Sequence, residues 1–188
     1  GTKATRNRFD GGPPHRHHGA VTTGDVIVVG AGVQGVSLAF HLAERGASVI
    51  VCERQSVGAG ATGRSSGFVR MHYDLEAEVR LAWASLPYFW DWTERVGAGD
   101  PGFVRTGFLQ LVPRGLSPLR ANTAMQQQLG VPTLLLGTDD VERLVPDLIL
   151  EDVEVAAYEP LSGYADPAAT AAGFLAAARN LGTRYVGG

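Results

Sequence analysis

The sequence has few of the features that mark secreted, membrane and nucleic-acid-binding proteins. Its single cysteine, Cys52, cannot form a disulfide within the chain and indicates a reducing compartment. It has no apolar run of the ~18 residues that a membrane-spanning helix needs, and its N-terminus lacks the apolar core of a signal peptide. The net charge of -3 gives no indication of a nucleic-acid partner. We therefore predict a cytoplasmic protein without a membrane span or a nucleic-acid partner.

The strongest pattern that is present covers residues 25–53. The β-branched run Val26–Val29 predicts a strand buried on both faces. A G-x-G-x-x-G motif follows, and apolar residues at helical spacing then predict a helix that stops at Gly46. A second apolar run, 47–52, closes on Glu53. The order of strand, glycine turn, helix, strand and acid is typical of a dinucleotide-binding unit.

Each residue type in this unit has a physical task. Gly30 permits the tight turn, Gly32 lets the backbone approach a pyrophosphate, and Gly35 lets the helix pack close to the sheet. The helix N-terminus offers N–H donors and partial positive charge to phosphates. Glu53 can accept hydrogen bonds from ribose hydroxyls and disfavours a 2′-phosphate, which predicts FAD or NAD. The alternative is an α/β turn that needs glycine only for packing.

A loop of small residues, 54–67, follows Glu53, and its backbone N–H groups could wrap an anionic ligand. The alternative is a flexible surface linker. Further along, residues 74–96 predict a helix that Pro87 kinks or splits. Strands are predicted within 103–112 and at 133–136, 153–158 and 183–186. Asp166 and Pro167 have the residue types of a helix N-cap and first turn, and predict a helix over 168–181.

The chain divides into four predicted parts. Residues 1–24 are expected to form a flexible tail, whose histidines favour a flexible extension over metal binding, and no metal site is predicted. Residues 25–100 are the first part of a nucleotide-binding domain, 101–160 a partial substrate domain, and 161–188 a return to the first domain. Because the last predicted strand is followed at once by Gly187 and Gly188, we expect the chain to be the N-terminal part of a longer protein.

Three separated motifs resemble one known family. Residues 60–70, Gly-Ala-Thr-Gly-Arg-Ser-Ser-Gly-Phe-Val-Arg, look like the FAD-dependent amino-acid oxidase (DAO) family, and most like its sarcosine oxidase and dimethylglycine dehydrogenase branch. Thr106–Leu109 resembles that family's first substrate-domain strand, and Gly163–Pro167 its return to the FAD domain. The resemblance implies an α/β fold: an FAD/NAD(P)-binding Rossmann-like parallel sheet with the start of an α+β substrate domain.

The resemblance also implies a set of cofactor contacts. Gly30, Gly32, Val33, Gln34 and Gly35 would hold the pyrophosphate, and Glu53 and Arg54 the adenosine side. Thr62, Gly63, Arg64, Ser65 and Ser66 would lie along the pyrophosphate and ribityl chain, with Gly67 beside the flavin. Some relatives tether the flavin to a histidine at the position of Arg64; arginine cannot do this, so non-covalent FAD is expected.

The implied substrate is a small amino acid with an N-methyl or secondary amine. Arg70 would bind its carboxylate through a bidentate contact, and His72 and Tyr73 are further candidates for the pocket. The implied reaction oxidises a C–N bond by hydride transfer to the flavin, and no catalytic residue is assigned. Two alternatives stay open. One is an NAD-linked dehydrogenase; the other is a non-catalytic fragment or subunit that needs a C-terminal half or a partner.

Overall fold

A computed structural model describes residues 23–113 and 118–188. The predicted tail 1–24, apart from its last two residues, lies outside the described residues. The strands are β1 (Val26–Val29), β2 (Val49–Glu53), β3 (Phe68–Val69), β4 (Phe108–Pro113), β5 (Leu134–Gly137), β6 (Val153–Glu159), β7 (Gly163–Tyr164) and β8 (Arg184–Gly187). The α-helices are α1 (Val33–Glu44), α2 (Glu76–Trp90), α3 (Trp92–Arg95), α4 (Leu119–Gln128), α5 (Thr138–Leu144) and α6 (Pro167–Asn180), and a 3₁₀ helix covers Thr62–Arg64.

A parallel sheet in the order β1-β2-β8 forms the unit that the sequence predicts to bind a dinucleotide. Helices α1 and α6 pack on one of its faces, where Phe40 and Phe174 contact each other with ring centroids 5.5 Å apart. Asp166 caps α6 as its residue type predicts, because its carboxylate accepts hydrogen bonds from the N–H groups of Ala168 and Ala169. The predicted α/β class with a Rossmann-like parallel sheet is confirmed.

The prediction that β1 is buried on both faces is wrong for the part of the chain that the structure describes. Val28 points toward α1 and is buried, whereas Ile27 and Val29 are 63% and 85% exposed. Successive side chains of a strand point to opposite faces, and both helices of this unit lie on the Val28 side. The apolar residues at Ile27 and Val29 therefore face away from the helices.

A second, antiparallel sheet has the order β4-β6-β5. The two-stranded pair β3-β7 connects it to the first unit, because β7 lies between the end of β6 and the start of α6. Gly163 in β7 has no room for a side chain, since a Cβ there would lie 2.0 Å from the carbonyl oxygen of Val104. The return segment thus holds Val104 and β3 close together.

The long helix predicted over 74–96 is split, but not at the proline. Helix α2 continues through Pro87 to Trp90, and the break comes at Asp91 before α3 begins. A proline removes one helical hydrogen bond and crowds the preceding turn, which α2 accommodates near its end. No helix within residues 23–113 and 118–188 combines the length and the apolar character needed to cross a bilayer.

Candidate functional site

The glycine motif forms the turn between β1 and α1. Gly30 has a φ of 103°, a left-handed conformation that favours glycine. A Cβ on Gly35 would lie 2.1 Å from the carbonyl oxygen of Gly30, so this position needs glycine for close helix–strand packing. Gly32 is different: the nearest atom to a Cβ there is Thr62 Oγ1, at 3.2 Å. The fold itself therefore requires glycine at positions 30 and 35 more strongly than at position 32. At position 32, the need for glycine would come from a bound ligand.

Glu53, the last residue of β2, is bonded to the glycine turn. Its Oε2 accepts a 2.8 Å hydrogen bond from the N–H of Ala31, and its Oε1 accepts one of 2.8 Å from the N–H of Gln55. These N–H groups, Ala31 first, lower the pKa of the Glu53 carboxyl below its ordinary value. Glu53 is therefore ionised near neutral pH and sits beside the turn.

An open cleft of about 600 Å³ lies at the carboxyl ends of the three parallel strands. Gly30, Gly32, Glu53 and Arg54 line its polar side. Its apolar floor is a row of registered neighbours from the three strands: Val29, Cys52 and Val186. Ligands of open α/β sheets bind at this edge, and the pairing of an apolar floor with a carboxylate suits a nucleoside.

The loop of small residues is bound to the N-terminus of α1. Thr62 Oγ1 accepts a 2.9 Å hydrogen bond from the N–H of Val33, the first residue of the helix. Gly58 donates its N–H to the carbonyl oxygen of Ala31 at 3.0 Å. Gly63, Arg64, Ser65 and Ser66 are exposed along this loop. The loop is thus anchored to the glycine turn instead of being a loose surface linker.

Gly67 joins this loop to the return segment. Its φ is 73°, and a Cβ there would lie 2.1 Å from the carbonyl oxygen of Ala165. Val33, Thr62, Ser65 and Gly67 line a smaller hollow of about 150 Å³. Gln34 lines a separate hollow, to which Val33 also contributes. Predicted cofactor residues therefore line an elongated track from Glu53, past Gly32 and Val33 at the start of α1, to Thr62, Ser65 and Gly67, whereas Gln34 lies outside it.

Arg70, three residues after Gly67, lines a further pocket of about 560 Å³. Its guanidinium carbon lies 4.7 Å from the ring centroid of Tyr73 and 5.1 Å from that of Phe108. Its Nη1 donates a hydrogen bond to the backbone carbonyl oxygen of His72. Two aromatic rings and one carbonyl thus fix the guanidinium in the pocket.

The three predicted substrate residues, Arg70, His72 and Tyr73, line this same pocket. Tyr73 is half-buried against Arg70, whereas His72 is only 6% exposed and its Nδ1 lies 3.0 Å from Gln126 Nε2. Burial and, next, the charge of Arg70 lower the pKa of His72, so the imidazole is held neutral. The structure therefore brings the three residues together. His72, however, is buried, and its Nδ1 faces Gln126.

A buried carboxylate that no sequence motif indicated lies next to these residues. Glu159, at the end of β6, is 1% exposed, and its Oε2 accepts hydrogen bonds from the N–H of Met71 and the hydroxyl of Ser162. Burial raises the pKa of the Glu159 carboxyl, while these donors and the charge of Arg70 oppose the rise. The one sequence signal was an acid at the end of an apolar strand, directly before Pro160.

A family model described as FAD dependent oxidoreductase (DAO) matches residues 25–188. The chain belongs to this family. L-proline dehydrogenase from P. horikoshii superposes with a TM-score of 0.77 at 31% identity, covering 86% of this chain and 43% of the other. Glycine oxidase from Bacillus cereus superposes with a TM-score of 0.70 at 26% identity, covering 88% and 47%. Human mitochondrial dimethylglycine dehydrogenase is 24% identical over 164 residues, which is 84% of this chain and 18% of that protein.

Membership in the DAO family favours FAD over the NAD-linked alternative. The chain spans less than half the length of either solved relative. The residues present fit an FAD on structural grounds: Gly32 lines the cleft without a side chain, the N-terminus of α1 brings a partial positive charge, and the cleft pairs Glu53 with an apolar floor. An anion could therefore lie at the start of α1, and the Glu53 carboxylate could accept hydrogen bonds from ribose hydroxyls at another part of the cleft.

Proposed function

We propose that the protein is a flavoprotein oxidising the C–N bond of a small amino acid with an N-methylated or secondary amine. Bound FAD would accept the hydride that leaves the carbon next to the nitrogen. The observation that carries this proposal is the placement of Arg70 in its own pocket, three residues beyond the track of predicted cofactor residues. A carboxylate held at Arg70 would keep the rest of a small substrate near the end of that track.

The surroundings of Arg70 suit recognition of a carboxylate. The rings of Tyr73 and Phe108 contact the guanidinium, and the carbonyl oxygen of His72 accepts from Nη1. These contacts restrict the orientation of the side chain and leave other N–H groups of the planar fork to bind two carboxylate oxygens. Because the orientation is set before substrate arrives, little side-chain entropy is lost on binding.

The cofactor would be held without a covalent bond. In this proposal the turn at Gly30, Gly32 and Gly35, with Val33 and Gln34, contacts the pyrophosphate, and Glu53 and Arg54 contact the adenosine. Thr62, Gly63, Arg64, Ser65 and Ser66 follow the pyrophosphate and ribityl chain, and Gly67 lies beside the flavin. The hydrogen bond from the N–H of Val33 to Thr62 supports this assignment, since it places the loop of small residues, 54–67, against the N-terminus of α1.

Further polypeptide is proposed to complete the enzyme. Ile27 is 63% exposed on the sheet face opposite α1 and does not line the nucleotide cleft. A parallel sheet is ordinarily covered on both faces, and the solved relatives are more than twice as long as the matched part. We propose that a C-terminal half of the same protein covers this face and supplies the remaining flavin and substrate contacts.

The test is anaerobic mixing of the purified, FAD-loaded protein with N-methyl amino acids, followed by flavin absorbance. We expect flavin that acid precipitation releases, and loss of its oxidised absorbance when substrate is added. Protein that binds no flavin but reduces NAD with an amino acid would contradict the proposal. If the 188-residue chain binds FAD but shows no reduction, the same measurement on a version extended beyond Gly188 tests the proposed C-terminal half.

A further inference from the structure

The segment that carries Arg70 is buried at Met71 and His72 although it lies between regular elements. Strand β3 ends at Val69 and α2 begins at Glu76, yet Met71 is only 1% exposed. Buried backbone N–H and C=O groups outside helices and sheets must find other partners. Here the partners are side chains from distant parts of the chain, and they converge on residues 71–74.

Glu159 supplies the first of these contacts. Its Oε2 accepts a 2.9 Å hydrogen bond from the N–H of Met71, the residue directly after Arg70. The hydroxyl of Ser162 donates to the same oxygen at 2.7 Å and so fixes the carboxylate. The other oxygen, Oε1, lies 3.8 Å from His72 Nδ1 and has no hydrogen-bond partner within the described residues.

Helix α4 supplies the second set of contacts. Gln126 is fully buried; its Nε2 lies 3.0 Å from His72 Nδ1 and 3.5 Å from the carbonyl oxygen of Met71. The hydroxyl of Thr133 donates to Gln126 Oε1 at 2.5 Å, which fixes the orientation of the amide. One turn earlier, Asn122 donates to Asp74 Oδ1 at 2.6 Å. A polar face of α4 is therefore buried against the segment.

We propose that Glu159 is a positioning residue for substrate recognition, because it holds the backbone at Met71 and thereby fixes where the Arg70 guanidinium lies. Arg70 is bonded to the carbonyl oxygen of His72, so the segment and the guanidinium move together. A buried carboxylate is a costly way to satisfy one N–H group. Such a carboxylate would be retained if substrate binding requires the backbone at Met71 to stay in one position. The inference rests on the proposed role of Arg70.

Two substitutions of nearly equal size separate this role from simple packing. Glu159→Gln retains an oxygen that can accept from both Met71 and Ser162. Glu159→Leu fills a similar volume but leaves both donors without an acceptor. In the full-length, FAD-loaded protein we expect Glu159→Leu to raise the KM for a carboxylate-bearing substrate about tenfold. The KM for its decarboxylated amine should change little, and Glu159→Gln should stay within about threefold of the native KM on both.

Arg70→Lys in the same assay separates the inference from the proposed function. If Arg70→Lys discriminates between the two substrates and Glu159→Leu does not, the positioning role is wrong while the proposed function stands. If Arg70→Lys itself affects both substrates equally, the carboxylate role of Arg70 fails, and the positioning role fails with it. An equal loss on both substrates in Glu159→Leu also overturns the inference.

Hydrogen exchange gives a measurement that does not depend on activity. In the 188-residue chain, we expect Glu159→Leu to speed exchange in a peptide covering residues 70–75, while peptides from α1 and α6 keep native protection. If the leucine variant does not accumulate in folded form, the same exchange measurement is made on Glu159→Asp, whose shorter side chain withdraws the carboxylate from Met71. Unchanged protection of residues 70–75 in the folded variant would overturn the proposal.

Discussion

Glu53 Oε2 accepts a 2.8 Å hydrogen bond from the backbone N–H of Ala31. The acid at the end of the second strand is therefore bonded to the turn after the first, as well as facing the cleft. This contact gives Glu53 two tasks: it stabilises the turn through one carboxylate oxygen, and its remaining lone pairs can accept from ribose hydroxyls.

Glu53→Gln should weaken FAD binding. Glutamine keeps one acceptor oxygen but loses the negative charge, so the charge-assisted hydrogen bonds become ordinary ones. We expect the Kd for FAD to rise about 5- to 30-fold, measured by flavin fluorescence titration. Glu44→Gln, at the exposed end of α1, is the matched control and should leave the Kd unchanged. Unaltered affinity in Glu53→Gln would show that Glu53 does not contact the cofactor.

Gly32→Ala should separate ligand binding from folding. A Cβ at Gly32 meets Thr62 Oγ1 at 3.2 Å, which a small shift accommodates, but it would obstruct an approaching pyrophosphate. We expect circular dichroism and the Tm to stay near native, and the Kd for FAD to rise at least about tenfold. Gly32→Val should have a larger effect in the same direction. Stoichiometric FAD in the purified valine variant would contradict this account of the turn.

Gly35→Ala is the matched comparison within the same motif. Its Cβ would lie 2.1 Å from the carbonyl oxygen of Gly30, so helix α1 must move away from the sheet. We expect a loss of about 3 kcal/mol in the free energy of unfolding, measured by urea denaturation. A stable Gly35→Ala protein would show that α1 and β1 are not packed as closely as described.

His72 should make stability depend on pH. Its pKa in the folded protein lies below the ordinary value of 6.5, first because of burial and then because of Arg70, while Asp74 opposes the shift. As the pH falls through 6.5, the unfolded chain takes up a proton that the folded chain does not. The free energy of unfolding therefore falls, by at most about 1.4 kcal/mol per pH unit for one proton.

The comparison with His72→Gln isolates this effect by urea denaturation between pH 7.5 and 5.5. The raised pKa of Glu159 acts in the opposite direction, because the folded state retains a proton that the unfolded state loses above 4.5. This second effect is present in both proteins, so their difference reports His72. A parallel pH dependence in the two proteins would mean that His72 is protonated as readily in the folded state as in the unfolded state.

The sequence was sufficient for the features that depend on neighbouring residues. The turn at Gly30, the cap at Asp166 and the alternation of strands and helices all follow from local conformational preferences. Pro87 was harder, since whether a proline ends a helix depends on how the adjacent turn packs. The placement of Arg70, His72 and Tyr73 in one pocket follows from their closeness in the chain.

The features that the sequence did not predict depend on contacts between distant residues. Glu159 meets Met71 across a separation of 88 residues, and Gln126 meets His72 across 54. Neither residue belongs to a recognisable local pattern. The exposed side of β1 was also missed, because a run such as Val26–Val29 shows that a strand is apolar on both faces but not what covers each face.

Arg70→Lys, assayed on an amino acid and on its decarboxylated amine, tests the central claim most directly. Lysine keeps the positive charge but lacks the planar fork that binds two carboxylate oxygens. In the full-length, FAD-loaded protein we expect the KM for the amino acid to rise by about one to two orders of magnitude with flavin content near native. The KM for the amine should change little. An equal loss on both substrates, or a variant without flavin, would contradict the account, because Arg70 would then support the fold or the cofactor.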